Sequence, residues 1–264
     1  MRTRTGAAPA LVLSLVLLLS ACGITTSPPT GVADEIEDAA ALTADLAAYD
    51  FAWTAEYELS ESETGLSELT VGGVGSVDAE TGNLESVVSY DEDLLDAARA
   101  LFADEDIEEV RAFTRIIGEE VFVKGFNAGS LAGDLSPAYD EWYEVGRRSQ
   151  DLTDPFVSSD VLPVDVLPVV VEPLVDADAL STVVDRDFVL DLGTRFSRSL
   201  YDFGLRLGGG DFELSVELAQ RHIRSLTIEG DDPGSGVARF AFTIEFEQVG
   251  SVVVEQPDRP VLLP

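Results

Sequence analysis

Cys22 is the only cysteine of the 264-residue chain and His222 its only histidine. Nucleophilic, general-base and soft-metal chemistry therefore has almost nothing to work with. The one reactive group in a telling context is the Cys22 thiol. It follows Leu19-Ser20-Ala21 and precedes Gly23, a branched apolar residue and two small ones before a cysteine. Upstream, Arg2 and Arg4 form a short positive segment, and Ala7 to Leu19 is apolar apart from Pro9 and Ser14. That run is shorter than the roughly 20 residues needed to span a bilayer, and has the length of a signal-peptide core.

The expected chemistry is cleavage before Cys22 and lipidation of its sulfur. A thioether can carry diacylglycerol, with acyl chains such as palmitate. One chain gives marginal membrane affinity at about 0.8 kcal/mol per buried CH2, and several give a stable anchor. Because this consumes Cys22, the folded part has no disulfide and must rely on an ordinary core. The expected organisation is a removed signal peptide over 1-21, a lipidated cysteine and tether over 22-32, and one domain over 33-264. Pro28-Pro29 in a small, polar stretch suits the tether. The expected location is the extracytoplasmic face of the cell membrane, held by lipid.

No catalytic constellation emerges. His222 lies in a strand pattern beside Arg221 and Arg224, with no nucleophile and orienting acid assignable around it. Neither a Gly-x-Ser-x-Gly elbow nor a phosphate-binding loop occurs. Zinc ligands are nearly lacking. Asp91-Glu92-Asp93 and Asp176-Ala177-Asp178 do not continue into a calcium loop. No enzyme activity, cofactor or metal is expected.

Charge excludes other partners. Fifty acids against 16 Lys and Arg give −34, and loss of Arg2 and Arg4 would make it −36. Such a surface repels nucleic acid. An apolar content of 45% is enough for a core.

The elements that must position any site follow from periodicity. Ala33 to Ala48 is Ala-rich with helical spacing, and Asp34 and Glu35 suit the positive end of its dipole. Phe51, Trp53, Ala55, Tyr57 and Leu59 alternate as a strand. Leu69 to Val77 continues the pattern, with glycines that suggest a bend or bulge. Leu84 to Tyr90 returns after a turn. A helix is expected over Glu92–Phe102, a hairpin over Val110–Lys124 and a short strand over Trp142–Val145. Pro155, Pro163, Pro168 and Pro173 punctuate the middle, and a helix is expected over Leu174–Val184. Strands are expected over 201–207, 212–218, 222–229 and 238–246, with a last one over Val252–Glu255. The fold class is α+β: a large curved antiparallel sheet, a half-barrel, packed on a few α-helices.

This order of elements resembles the actinobacterial LppX/LprG lipoprotein family, which is similar in shape to the LolA and LolB lipoprotein carriers. The matching residues are the Cys22 lipobox, Gly73-Val74-Gly75-Ser76-Val77-Asp78 and Ile117-Gly118-Glu119-Glu120-Val121-Phe122-Val123-Lys124. They continue with Glu141-Trp142-Tyr143-Glu144-Val145, Leu192-Gly193-Thr194-Arg195, His222-Ile223-Arg224-Ser225-Leu226 and Phe246-Glu247-Gln248-Val249-Gly250. The resemblance implies a sheet wrapped around helices over an apolar cavity, and carriage of acyl chains of lipids or glycolipids.

The leading expectation is a membrane-anchored lipoprotein that binds and carries or presents an apolar ligand, a lipid or lipid-linked molecule. Strand alternation nominates Tyr57, Val88, Phe113, Phe203, Leu214 and Phe242 as cavity-lining residues. A one-residue register error would turn any of them to the other face. The alternative is a non-catalytic envelope interaction protein with a fully packed core and an envelope protein as partner.

Overall fold

The computed structural model describes residues 31–59, 68–92, 95–102, 106–126, 128, 138–145, 163–164, 167–196, 210–231 and 237–262. Cys22 and the strand expected over 201–207 lie outside them. Residues 31–264 form a compact unit of their own.

The fold is α+β. Helix α1 (Val32–Ala44) leads into β1 (Ala48–Leu59), β2 (Glu68–Asp78) and β3 (Asn83–Tyr90). Helix α2 (Leu95–Phe102) precedes β4 (Arg111–Ile117), β5 (Glu120–Gly125) and β6 (Tyr143–Glu144). Two short helices, α3 (Leu167–Val170) and α4 (Glu172–Ala177), are followed by β7 (Ser181–Asp185) and α5 (Arg186–Phe196). Strands β8 (Asp211–Ala219), β9 (His222–Asp231), β10 (Val237–Gln248) and β11 (Val261–Leu262) complete the chain. One open sheet holds all eleven strands in the order β11-β6-β5-β4-β3-β2-β1-β10-β9-β8-β7. Two antiparallel meanders, β1–β6 and β7–β10, meet where β1 pairs with β10. Only β11 on β6 is parallel.

Alternation decides the faces. Phe51, Trp53 and Ala55 of β1 are buried, while Thr54 and Glu56 between and beyond them are exposed. Their neighbours on the inner face are Phe246, Ile244 and Phe242 of β10. Trp53 meets Phe242 at 6.3 Å and Tyr57 meets Phe240 at 5.6 Å between ring centroids, distances at which aromatic pairs add to simple burial. The β2 glycines make no bulge: pairing with β1 runs unbroken from Glu68 to Asp78. A side chain at Gly73 would collide with the Trp53 indole, and one at Gly75 with the Phe51 ring. The glycines leave room for large rings from the next strand.

Helix α1 ends earlier than its sequence pattern. Ala47 and Ala48 already serve the sheet, their carbonyls accepting from Ala79 and Val249. The helix expected over Leu174–Val184 is divided. Asp178 takes a left-handed conformation (φ 49°) that closes α4. Ser181-Thr182-Val183-Val184 is β-branched in three of four positions and becomes β7. Helix α5 has no counterpart in the sequence-based expectation.

No strand forms over Val252–Glu255. The chain after β10 instead runs on without regular structure, meets β4 and β5 through Glu255 and Gln256, and reaches β6 as β11. Residues 249–260 connect β10 to β11, which lie seven strand positions apart in the sheet. Arg115 of β4 donates to the Glu255 carbonyl at 2.9 Å, pairs with Glu85 and stacks over Trp142 at 4.8 Å. Pro257 is buried, as is the outward-facing Phe122. Arg115→Met keeps the apolar stem and loses the clamp. It is expected to cost about 1–2 kcal/mol in urea unfolding and to red-shift tryptophan emission.

Candidate functional site: an apolar cavity under the sheet

The inner face of β9 and β10 forms the floor of a small cavity. Leu226 and Ile228 come from β9, and Phe240, Phe242, Ile244 and Phe246 from β10. Its cover is helical: Leu167 and Val170 of α3, Val189 and Leu192 of α5, and Pro163. Two periodicities meet here. Every second residue of β10 points to the floor, while pairs three residues apart on α3 and α5 point down from above. All eleven lining residues are apolar. The enclosed volume is about 30 Å³, room for one or two methyl-sized groups and far below the roughly 300–1,000 Å³ of a ligand pocket.

Of the nominated residues, Phe242 lines this cavity. Tyr57, Val88 and Leu214 share its face of the sheet without lining it; Val88 and Leu214 are fully packed, and Tyr57 is half-buried on Phe240. Phe113 faces the other way. It pairs across β3 with Val87, not Val88. Its ring lies 6.3 Å from Trp142 and 5.3 Å from the Lys124 ammonium. The register of β4 is set by Ala112, Thr114 and Ile116, all buried, so Phe113 belongs to the outer face. Phe203 lies outside the described residues. The helical cover over 186–196 lies outside the sequence-based expectation, although Phe188, Val189 and Leu192 have helical spacing. Leu226, Ile228, Ile244 and Phe246 were legible from the alternation that nominated Phe242.

Other chemistry is sparse among the described residues. No group of three or more His, Cys, Asp or Glu converges. The His222 Nδ1 lies 3.1 Å from the Gln220 carbonyl. Burial raises the titration of Tyr139 and Tyr143, and hydrogen bonds from or near Arg111 and Ala138 oppose it. A raised phenol favours the folded state below the ordinary value near 10 and ceases to do so as pH rises through the folded value. Both rings brace loops: the Tyr139 hydroxyl donates to Glu109 at 2.7 Å, and Tyr143 accepts from the Ala138 N–H at 2.8 Å. No described helix is long and apolar enough to cross a membrane.

No family model matches the sequence, and no curated protein matches it.

Proposed function

We propose that this chain is a membrane-anchored extracytoplasmic lipoprotein that binds and carries or presents an apolar ligand, a lipid or lipid-linked molecule. The observation that supports the reading is the wholly apolar cavity between a sheet floor and a helical cover. A lining without a polar group offers no hydrogen bond and suits hydrocarbon. An acyl chain enters by displacing α3 and α5 from β9 and β10, taking the place of Leu167, Val170, Val189 and Leu192. The floor exchanges one apolar contact for another, and the displaced side chains pack on the acyl chain in turn, so the exchange costs little hydrophobic free energy. The four residues of α3 are one turn with little stability of their own. Cys22 supplies the anchor that keeps the exchange beside a membrane.

Native mass spectrometry of the full chain purified from its host tests both parts. Mass added to the polypeptide that survives denaturation reports lipid on Cys22. Mass that is lost on denaturation and extracts into organic solvent reports cargo. Leu192→Trp puts a larger side chain into the cover and is expected to lower cargo content at least fivefold while costing about 1–3 kcal/mol. A bare polypeptide, with no uptake from host lipid extract, would sink the carrier reading. The 30 Å³ volume favours a second reading, a non-catalytic envelope interaction protein with a packed core, and that result would support it.

A further inference from the structure

The open sheet ends in two edge strands, β11 and β7. An edge offers unpaired main-chain groups to another strand, and proteins blunt it with shortness, proline or lysine. β11 is blunted: it is two residues long and follows Pro260, which has no N–H to give. β7 is five residues, Ser181–Asp185, with neither proline nor lysine. Its outward side carries no strand among the described residues.

The phase of the ladder fixes which groups that side offers. The Val216 N–H donates to the Leu180 carbonyl at 2.9 Å. Pairing continues without a shift from Ser181 opposite Ser215 to Asp185 opposite Asp211. Main-chain groups alternate in direction along an antiparallel strand. Leu180, Thr182 and Val184 therefore turn theirs to β8, while Ser181, Val183 and Asp185 turn theirs outward. Val183, at the centre of the outward set, is 65% exposed. The one charge on β7, Asp185, does not guard the edge: its carboxylate accepts from the Phe188 N–H at 2.9 Å, in the turn that begins α5.

An antiparallel copy of β7 itself fits this edge. With a two-fold axis at Val183, the strand is its own complement. The two Val183 residues exchange N–H and carbonyl, with Cα atoms about 5.5 Å apart, and their exposed side chains pack on each other. Each Asp185 N–H reaches the opposing Ser181 carbonyl. Ser181 stands opposite Asp185, a hydroxyl against a carboxylate, so no acid faces its own kind across the new pair. That register matters in a chain of net charge −34. Asp211 and Glu213 lie one strand further back in each copy, and Glu213 accepts from the Ser181 hydroxyl at 2.6 Å. Their repulsion opposes the pairing and is screened by salt.

We propose that β7 pairs with β7 of a second copy, joining two sheets edge to edge in a weak two-fold dimer. The inference is independent of the cavity and of Cys22.

Sedimentation equilibrium of the full chain in non-ionic detergent tests it. A reversible monomer–dimer equilibrium is expected, at least threefold tighter in about 0.5 M than in about 0.05 M NaCl. Val183→Pro removes an outward N–H and no bond to β8; it is expected to weaken the dimer at least tenfold. Val183→Lys is expected to do the same by placing two ammonium groups at the axis. Val74→Lys makes the same change at another exposed valine, in the middle of the sheet, and is expected to alter association less than twofold. Circular dichroism confirms the fold of each. Hydrogen exchange over 181–185 is expected to slow as wild-type concentration rises, and not in Val183→Pro. A chain that stays monomeric at both salt concentrations would overturn the proposal. So would association that both Val183 variants leave unchanged, or that Val74→Lys weakens as much as they do.

Discussion

Gly125→Ala is expected to destabilise the fold by at least about 3 kcal/mol, more than any surface change in the molecule. Gly125 closes β5 with φ +70°, a conformation that costs a residue with a Cβ about 1–2 kcal/mol. Conformation is the smaller part. A Cβ here would overlap the Arg111 carbonyl oxygen, which is backbone and cannot rotate away, and would also meet Phe113 Cδ2 at 3.5 Å. The residue is held on two sides: it pairs with Ala112 across β4, and its N–H donates to the Tyr139 carbonyl at 3.1 Å. Relief therefore requires β4 and β5 to part where β5 leaves the sheet. Gly118 is the internal control. It too has positive φ, +62°, but a Cβ there would meet nothing within 4 Å, so Gly118→Ala is expected to cost only about 1 kcal/mol. Urea unfolding of both variants measures the difference. Equal, small costs would mean that the strand end yields freely, and the steric account would fail.

Strand alternation made the sheet legible, and the reason is its one-sided burial. In β10, Phe240, Phe242, Ile244 and Phe246 are buried while the residues between them are polar or small. The period is clean and the register follows from it. In β4 the period is equally regular but its large residue misleads. Phe113 is the largest apolar side chain of its strand, yet the buried set is Ala112, Thr114 and Ile116. Size pointed one way and packing the other, because Lys124 and Trp142 give the Phe113 ring partners on the outer face. The glycines of β2 misled for a related reason. A missing side chain reads as backbone freedom until the ring that fills its place is known, and here that ring comes from β1. Least legible was the division of 172–185 between helix and strand. It turns on the left-handed Asp178, whose carboxylate also accepts from the Ala33 N–H at 2.8 Å. That contact spans 145 residues and leaves no local trace. The floor of the cavity was thus written in a strand, and its cover depended on contacts that sequence spacing does not carry.

A second long-range contact should show in stability. Thr43 lies in the last turn of α1, fully buried. Its hydroxyl donates to the Ala39 carbonyl at 2.8 Å and accepts from the Ile223 N–H, also at 2.8 Å. Donation to the residue four back is common for a helical threonine; acceptance from another element is what matters here. The pairing of β8 with β9 shifts register between Glu217 and Leu218, next to Ile223, and at such a bulge the ladder is locally disrupted. Thr43 takes the Ile223 N–H, in a position closed to water. Thr43→Val preserves shape and removes the acceptor, leaving a buried donor unsatisfied at a cost of about 1–3 kcal/mol; about 2–3 is expected, since Ile223 is itself only 1% exposed. Thr43→Ser keeps the hydroxyl and is expected to lose about 1 kcal/mol for its methyl. Hydrogen exchange gives the specific signature: the Ile223 amide should exchange faster in the valine variant and keep its protection in the serine one. If the valine variant matched wild type in both stability and Ile223 exchange, the hydroxyl would not be what joins α1 to the sheet. If the serine variant were the worse of the two, packing of the methyl would outweigh the hydrogen bond.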